Sequence, residues 1–203
     1  MVVMKRFFDI CFSLVALVLL APFMGVLALA IRIGSPGPVL YRQKRVGRDG
    51  EFFECLKFRT MYEDAAEQLE ELLGNSERLK KQWQENFKLV DDPRVTPIGA
   101  WMRRYSLDEL PQFWNVLKGE LSVVGPRPVT VQEIELCYGP LAKELLTIRP
   151  GLTGPWQVSG RNLLPYPERV RLDIEYVREQ TLLWDLQLIC LTLPAMVSGD
   201  GAY

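Results

Sequence analysis

Apolar positions gather first in residues 10–31, a run of 22 residues without a charge. At about 1.5 Å per residue such a run can cross a hydrocarbon core of about 30 Å as a straight helix. Arg32, Ile33, Gly34, Ser35 and Pro36 follow it and do not form a small-residue cleavage site, so the run reads as a membrane segment and not as a cleaved signal. Pro22 sits near its middle, where a proline removes a helical hydrogen bond and bends the chain, so Ala21-Pro22 is the expected helix break. Lys5 and Arg6 precede the run, and Arg32, Arg42, Lys44, Arg45 and Arg48 follow it. Both flanks therefore carry the positive charge of a cytoplasmic side. A straight span would keep the more basic C-terminal flank inside. A helix-break-helix hairpin would dip into one leaflet and keep both ends inside, and either geometry leaves residues 34–203 in the cytoplasm.

Beyond the run the pattern changes period. Residues 39–46 and 51–59 flank Gly47-Arg48-Asp49-Gly50 and predict a β-hairpin. Alternation in its second strand puts Leu56 and Phe58 on one face and Lys57 and Arg59 on the other, as a solvated face or as a pair of phosphate-contacting cations. Leu69, Leu72 and Leu73 at helical spacing predict two helices in residues 61–90, broken at Gly74-Asn75. Residues 91–97 read as a linker whose aspartates form turns. In residues 103–128, Ser106 and Glu109 have capping-box spacing, so Asp108 and Glu109 are expected in the first turn of a helix, with Pro111 tolerated near its start and Gly119 at its end. A short strand at 121–124 and a rigid Gly125-Pro126-Arg127-Pro128 turn follow, which could return Arg127 toward the carboxylates. Residues 131–146 read as a helix pair interrupted at Gly139-Pro140, 149–155 as a loop carrying Arg149, 156–161 as a short strand and turn, and 166–179 as a polar helix. Residues 182–197 are apolar but too short to span, and they contain Asp185 and Pro194, so they predict an interfacial or core helix. The expected fold is mixed α/β, mostly helical with a small β-hairpin or sheet: a membrane helix-break-helix at 1–33, then a cytosolic domain at 34–203.

Composition narrows the chemistry. With 203 residues the chain fits one compact domain plus an appendage, and its net charge of -1 gives no global reason to bind nucleic acid. Cys11, Cys55, Cys137 and Cys190 form no Cys-x-x-Cys pair, so neither a zinc site nor a disulfide framework is indicated. The absence of histidine removes Ser-His-Asp and Cys-His catalysis and the usual catalytic zinc ligands. Carboxylates remain. Asp108 and Glu109, ringed by Arg103, Arg104 and Arg127, would be held ionised by nearby cations. An ionised aspartate can attack phosphorus where a divalent metal and arginines neutralise the phosphate oxygens, and oxygen-only ligation favours Mg²⁺. The plainer reading is that the two carboxylates cap a helix and pair with arginine.

Five motifs decide between these readings. Lys57-Phe58-Arg59-Thr60-Met61, Asp92-Pro93-Arg94-Val95-Thr96, Ser106-Leu107-Asp108-Glu109-Leu110-Pro111-Gln112, Val124-Gly125-Pro126-Arg127-Pro128 and Arg149-Pro150-Gly151-Leu152-Thr153-Gly154 resemble, in order and over nearly the whole chain, the bacterial sugar transferase family, the monotopic phosphoglycosyl transferases. The resemblance implies transfer of a sugar phosphate from a UDP-sugar to undecaprenyl phosphate, with release of UMP, at the start of O-antigen, capsule or exopolysaccharide assembly. It implies Asp108 as the nucleophile of a covalent phosphosugar intermediate, Mg²⁺ at Asp108 and Glu109, and Glu109 as metal ligand or as base. Lys57, Arg59 and the Pro126-Arg127-Pro128 motif would hold phosphates, with Arg149 toward the nucleotide. It also implies a re-entrant helix with both ends on the cytoplasmic face of the bacterial inner membrane, although this chain has Ala21-Pro22 where members often have Ser-Pro. Larger members carry further N-terminal membrane helices, which leaves open a small member or a catalytic half. Residues 198–203 resemble members that transfer galactose or glucose phosphate. A homodimer is compatible with the sequence, which does not fix it. The other class to separate is a membrane-anchored nucleotide-sugar binding protein without turnover.

Overall fold

A computed structural model describes residues 2–86, 89, 91–199 and 201. The ends of the 61–90 helical region and of the 198–203 segment lie partly outside these residues.

The long apolar run becomes α1 (Val2–Gly34), 33 residues, helical through Pro22. The expected interruption at Ala21-Pro22 does not form; a proline removes one internal hydrogen bond and a long helix can carry that loss. One side of α1 exposes Phe7, Leu14, Val15, Val18, Leu19, Val26 and Leu29 and is compatible with membrane anchoring. Its other side is docked along the domain. Lys5 pairs with Asp185 at 2.6 Å, Arg6 donates to the Val116 and Leu117 carbonyls, and the buried Asp9 accepts from the Ser122 hydroxyl and the Val123 N–H. Farther along, Leu27 and Ile31 enter a core with Phe58, Met102 and Leu110.

The predicted hairpin is β1 (Leu40–Val46) and β2 (Phe52–Phe58), antiparallel with Leu40 opposite Phe58. Asp49 takes a left-handed backbone, φ 58°, in its turn. The helices α2 (Ala65–Asn75) and α3 (Glu77–Asn86) part at Ser76, next to the expected break. In the linker Arg94 forks onto Asp92, so those aspartates serve a turn and an ion pair. Thr96 caps α4 (Pro97–Arg104), its hydroxyl accepting from the Gly99 N–H.

A 3-10 turn at Leu107–Glu109 then leads into α5 (Gln112–Lys118). The capping box expected at Ser106 and Glu109 does not form: Ser106 has a left-handed backbone, φ 54°, and makes no side-chain cap. That conformation turns the chain before the helix begins, and Pro111 stands at the N-cap. Helix α5 ends as expected at Gly119, φ 87°. The short strand β3 (Ser122–Val124) follows, then α6 (Val131–Glu133), which starts in a capping box between Thr130 and Glu133. The chain winds through a π turn at Ile134–Tyr138 to α7 (Ala142–Leu145).

Two expectations fail next. The stretch read as a loop contains β4 (Gly151–Thr153), parallel to β3, and the stretch read as a strand is the short helix α8 (Pro155–Val158). A three-residue strand has no period to read; its partner supplies it. Helices α9 (Tyr166–Glu179) and α10 (Leu182–Ser198) match the pattern. Asp185 of α10 is buried against Lys5 and Tyr176, while Leu183, Leu186, Leu191 and Leu193 are exposed. The main core gathers Phe53, Cys55, Val116, Leu121, Val123, Val124, Tyr176 and Leu188, so β2, α5, β3, α9 and α10 share one interior.

Candidate active site

The site forms where α5, the end of β2 and the turn after β3 converge. Asn115 fixes the first two: its amide oxygen accepts from the Leu56 N–H at 3.0 Å and its amide nitrogen donates to the Glu54 carbonyl at 2.7 Å. The fully buried amide thus acts as an extra rung on β2 and brings Lys57 against the residues before α5. The turn after β3 is fixed by close backbone approach. A Cβ at Gly151 would fall 2.1 Å from the Gly125 nitrogen, so the glycines let β4 pass the Gly-Pro-Arg-Pro turn. Val46 then donates its N–H to the Val129 carbonyl and holds Arg127 over the hairpin.

At the centre Glu109 joins two cations. Its carboxylate is 2.8 Å from Lys57 Nζ and 3.4 Å from Arg127. Together with Arg45, Cys55, Gln112, Pro128, Gly151 and Leu152 these three side chains line a cleft. Arg45 pairs with Glu133 at 2.8 Å, and Glu133 also accepts from the Thr130 N–H and the Tyr166 hydroxyl. Asp108 is not among the lining side chains; it lies buried behind Glu109, 8% exposed.

Electrostatics here differ from the sequence expectation of a simply ionised pair. Burial pushes the Asp108 carboxyl above its ordinary range and the Glu109 charge adds to the rise, against Lys57, Arg103 and Arg127. Arg103 is part of this ring, its Nε donating to the Thr60 hydroxyl at 2.9 Å. Arg104 is not, for it turns outward beside the Tyr105 ring. Burial alone would lower the Arg127 pKa, but Glu109 and Glu133 raise it and hold its charge.

Other candidates are placed differently. Pro126 is buried in the turn and its carbonyl accepts from Gly151. Arg59 does not share the Lys57 face: β2 ends at Phe58, and the Arg59 guanidinium donates to the Ser35 and Pro36 carbonyls, pinning the turn after α1. Arg149 lies at the far end of α5, its Nε on the Gly119 carbonyl at 2.6 Å. Pro22 is in α1, away from the cleft lining. Sequence reading gave Arg45 only as flank charge and Gln112 only as the end of the Ser106–Gln112 motif, and it missed Asn115 and the contact of Arg161 with Ser106 at 3.2 Å, because these placements depend on elements far apart in the chain.

Asp108 and Glu109 are two adjacent carboxylates, and no group of three or more acidic or thiol side chains gathers among the described residues. That set fits Mg²⁺, which keeps waters and takes substrate phosphates beside one or two carboxylates. A raised carboxyl pKa is also what an added cation beside Asp108 would reverse.

Residues 1–199 match the bacterial sugar transferase family. The chain is 45% identical over 199 residues to the exopolysaccharide production protein ExoY of Rhizobium meliloti (strain 1021), covering 98% of this chain and 88% of that protein. It is 44% identical over 200 residues to the undecaprenyl-phosphate galactose phosphotransferase of Salmonella typhimurium, covering 98% of this chain and 42% of that one. To the UDP-glucose:undecaprenyl-phosphate glucose-1-phosphate transferase of Escherichia coli (strain K12) it is 37% identical over 209 residues, covering 98% and 41%.

Proposed function

The chain belongs to the bacterial sugar transferase family, and on that premise we propose that it moves a hexose 1-phosphate from a UDP-sugar to undecaprenyl phosphate. The observation that carries the reading is Glu109 held between Lys57 and Arg127 at the cleft, with the buried Asp108 next to it in the chain. The donor phosphates replace the Glu109 carboxylate on Lys57 and Arg127, since anion for anion is a balanced exchange. An Asp108 oxygen then attacks the phosphorus that bears the sugar. The bond from that phosphorus to the bridging oxygen breaks, and UMP leaves with the oxygen and its electron pair. A phosphate oxygen of the lipid attacks the same phosphorus and returns Asp108 as a free carboxylate, leaving the sugar on a lipid diphosphate. Lys57 and Arg127 face charge at phosphorus in both steps. Bound at Asp108 and Glu109, Mg²⁺ would neutralise phosphate oxygens.

The reading places the domain on the cytoplasmic face of the inner membrane, with both ends of α1 held on that face. Docking of α1 at both ends supports this, because a straight crossing would carry one end about 30 Å away from the domain. A cysteine at position 3, in a background without Cys11, Cys55, Cys137 and Cys190, labels from the cytoplasmic side alone. Labelling from outside would mean a straight span. A polysaccharide pathway that begins with hexose phosphate, such as exopolysaccharide or capsule assembly, is the expected setting.

The test is UMP release from a panel of UDP-sugars with Mg²⁺ and undecaprenyl phosphate, wild type against Asp108→Asn. Release from one donor, lost in the variant, supports the reaction and names the sugar. Binding of UDP-sugar with no UMP from any donor would favour a protein without turnover.

A further inference from the structure

Behind the cleft a second layer of side chains holds Arg127. The Trp156 ring lies between two guanidiniums, with Arg127 5.8 Å and Arg169 5.0 Å from its centroid. Arg169 is fixed in turn: it donates to the Leu164 and Asn162 carbonyls and sits 4.7 Å from the Tyr166 ring. On the other side is Asp173, fully buried on α9, which accepts from the Tyr138 hydroxyl at 2.7 Å. The Trp156 indole N–H favours the Asp173 carboxylate, against its burial. Among the described residues neither Trp156 Nε1 nor Asp173 Oδ1 has a partner at hydrogen-bond distance.

We infer that Trp156 is a positioning residue for Arg127, its ring set by Asp173 and Arg169 so that the guanidinium faces the phosphate cleft. The geometry accounts for the layer. Arg127 spends its charge on Glu109, 3.4 Å away, and needs a support that does not compete for that charge. An aromatic face offers this, since it orients a cation without supplying a counter-ion. Trp156 makes no contact with the reacting atoms and acts through the arginine.

The inference rests on the reading that Arg127 holds phosphate, so the experiment separates the two. UDP dissociation constants are measured for wild type, Trp156→Leu, Trp156→Phe, Arg127→Ala and Trp156→Leu/Arg127→Ala, with the melting temperature of each as a control. Trp156→Leu is expected to weaken UDP binding about tenfold, and Trp156→Phe, which keeps the aromatic face, to restore most of it. In the Arg127→Ala background the Trp156→Leu effect should fall below about twofold, because the support has nothing left to orient. Equal factors in the two backgrounds would overturn the positioning role while leaving the phosphate role of Arg127 intact. No change in affinity from Arg127→Ala would overturn the reading itself and the inference with it. If Trp156→Leu does not fold, Asp173→Asn carries the same cycle, with an expected loss of about threefold that disappears without Arg127 and the same equal-factor result against it.

Discussion

The two ends of α5 carry opposite chemistry within seven residues. Before its start, the Glu109 side chain holds Lys57 and Arg127; past its end, Arg6 and Arg149 hold backbone carbonyls of Val116, Leu117 and Gly119. The difference is in what the cations are bonded to. A carboxylate side chain can move aside for a phosphate of the same charge. A helix carbonyl cannot. Cations at the first end are therefore available to a ligand, whereas those at the second add donors to the last carbonyls and favour the negative end of the helix. Motif membership did not separate Arg127 from Arg149; their partners do.

The comparison can be broken by substitution, beginning with the largest effect. Asp108→Asn removes the charge and keeps the shape, so UMP release should fall by about 10³-fold or more with an unchanged melting temperature. Arg127→Ala should lower turnover about 10²-fold, since both proposed steps pass through a charged phosphorus centre. An unaltered rate would move it out of the site. At the other end Arg6→Ala should instead cost about 2 kcal/mol of stability, because two helix carbonyls lose a charged donor, with turnover per folded molecule within about twofold of wild type. Arg149→Ala should cost about 1 kcal/mol. A rate loss there as large as that of Arg127→Ala would put Arg149 on the nucleotide side and end the contrast.

A smaller effect lies in the supporting layer. Burial pushes Asp173 up to about 7, against the Tyr138 hydroxyl, the Trp156 N–H and the charges of Arg127 and Arg169. Because the folded form holds this proton more tightly than the unfolded chain, its contribution to stability is complete below about pH 4. It is lost as pH rises toward 7. Melting temperatures of wild type and Asp173→Asn across that window should diverge, the variant lacking the fall. Parallel curves would mean that Asp173 is ionised in the fold throughout.

Legibility in the sequence followed locality. The hairpin, α9, α10 and the stop of α5 at Gly119 are set by period or by one residue's backbone freedom, and a linear reading finds them. So is the long apolar stretch of α1, yet the buried face that docks it depends on Asp9, Lys5 and Asp185, which pair across the fold. The strand β4 exists because β3 lies beside it. Lys57 and Arg59 looked equivalent by alternation, and the end of β2 at Phe58 sends them to different partners. Asp108 and Glu109 were visible as a candidate pair. That one is buried while the other bridges cations was not, because burial is decided by the packing of α5 on β2 through Asn115.

In the proposed reaction Asp108 carries the sugar phosphate. Its most direct test is the intact mass of the protein after incubation with the active UDP-sugar and Mg²⁺ but no lipid acceptor, followed by peptide mapping. An added hexose phosphate is expected on Asp108, and it should disappear when undecaprenyl phosphate is supplied. Stoichiometric UMP release with no adduct on the protein, or an adduct elsewhere, would contradict it.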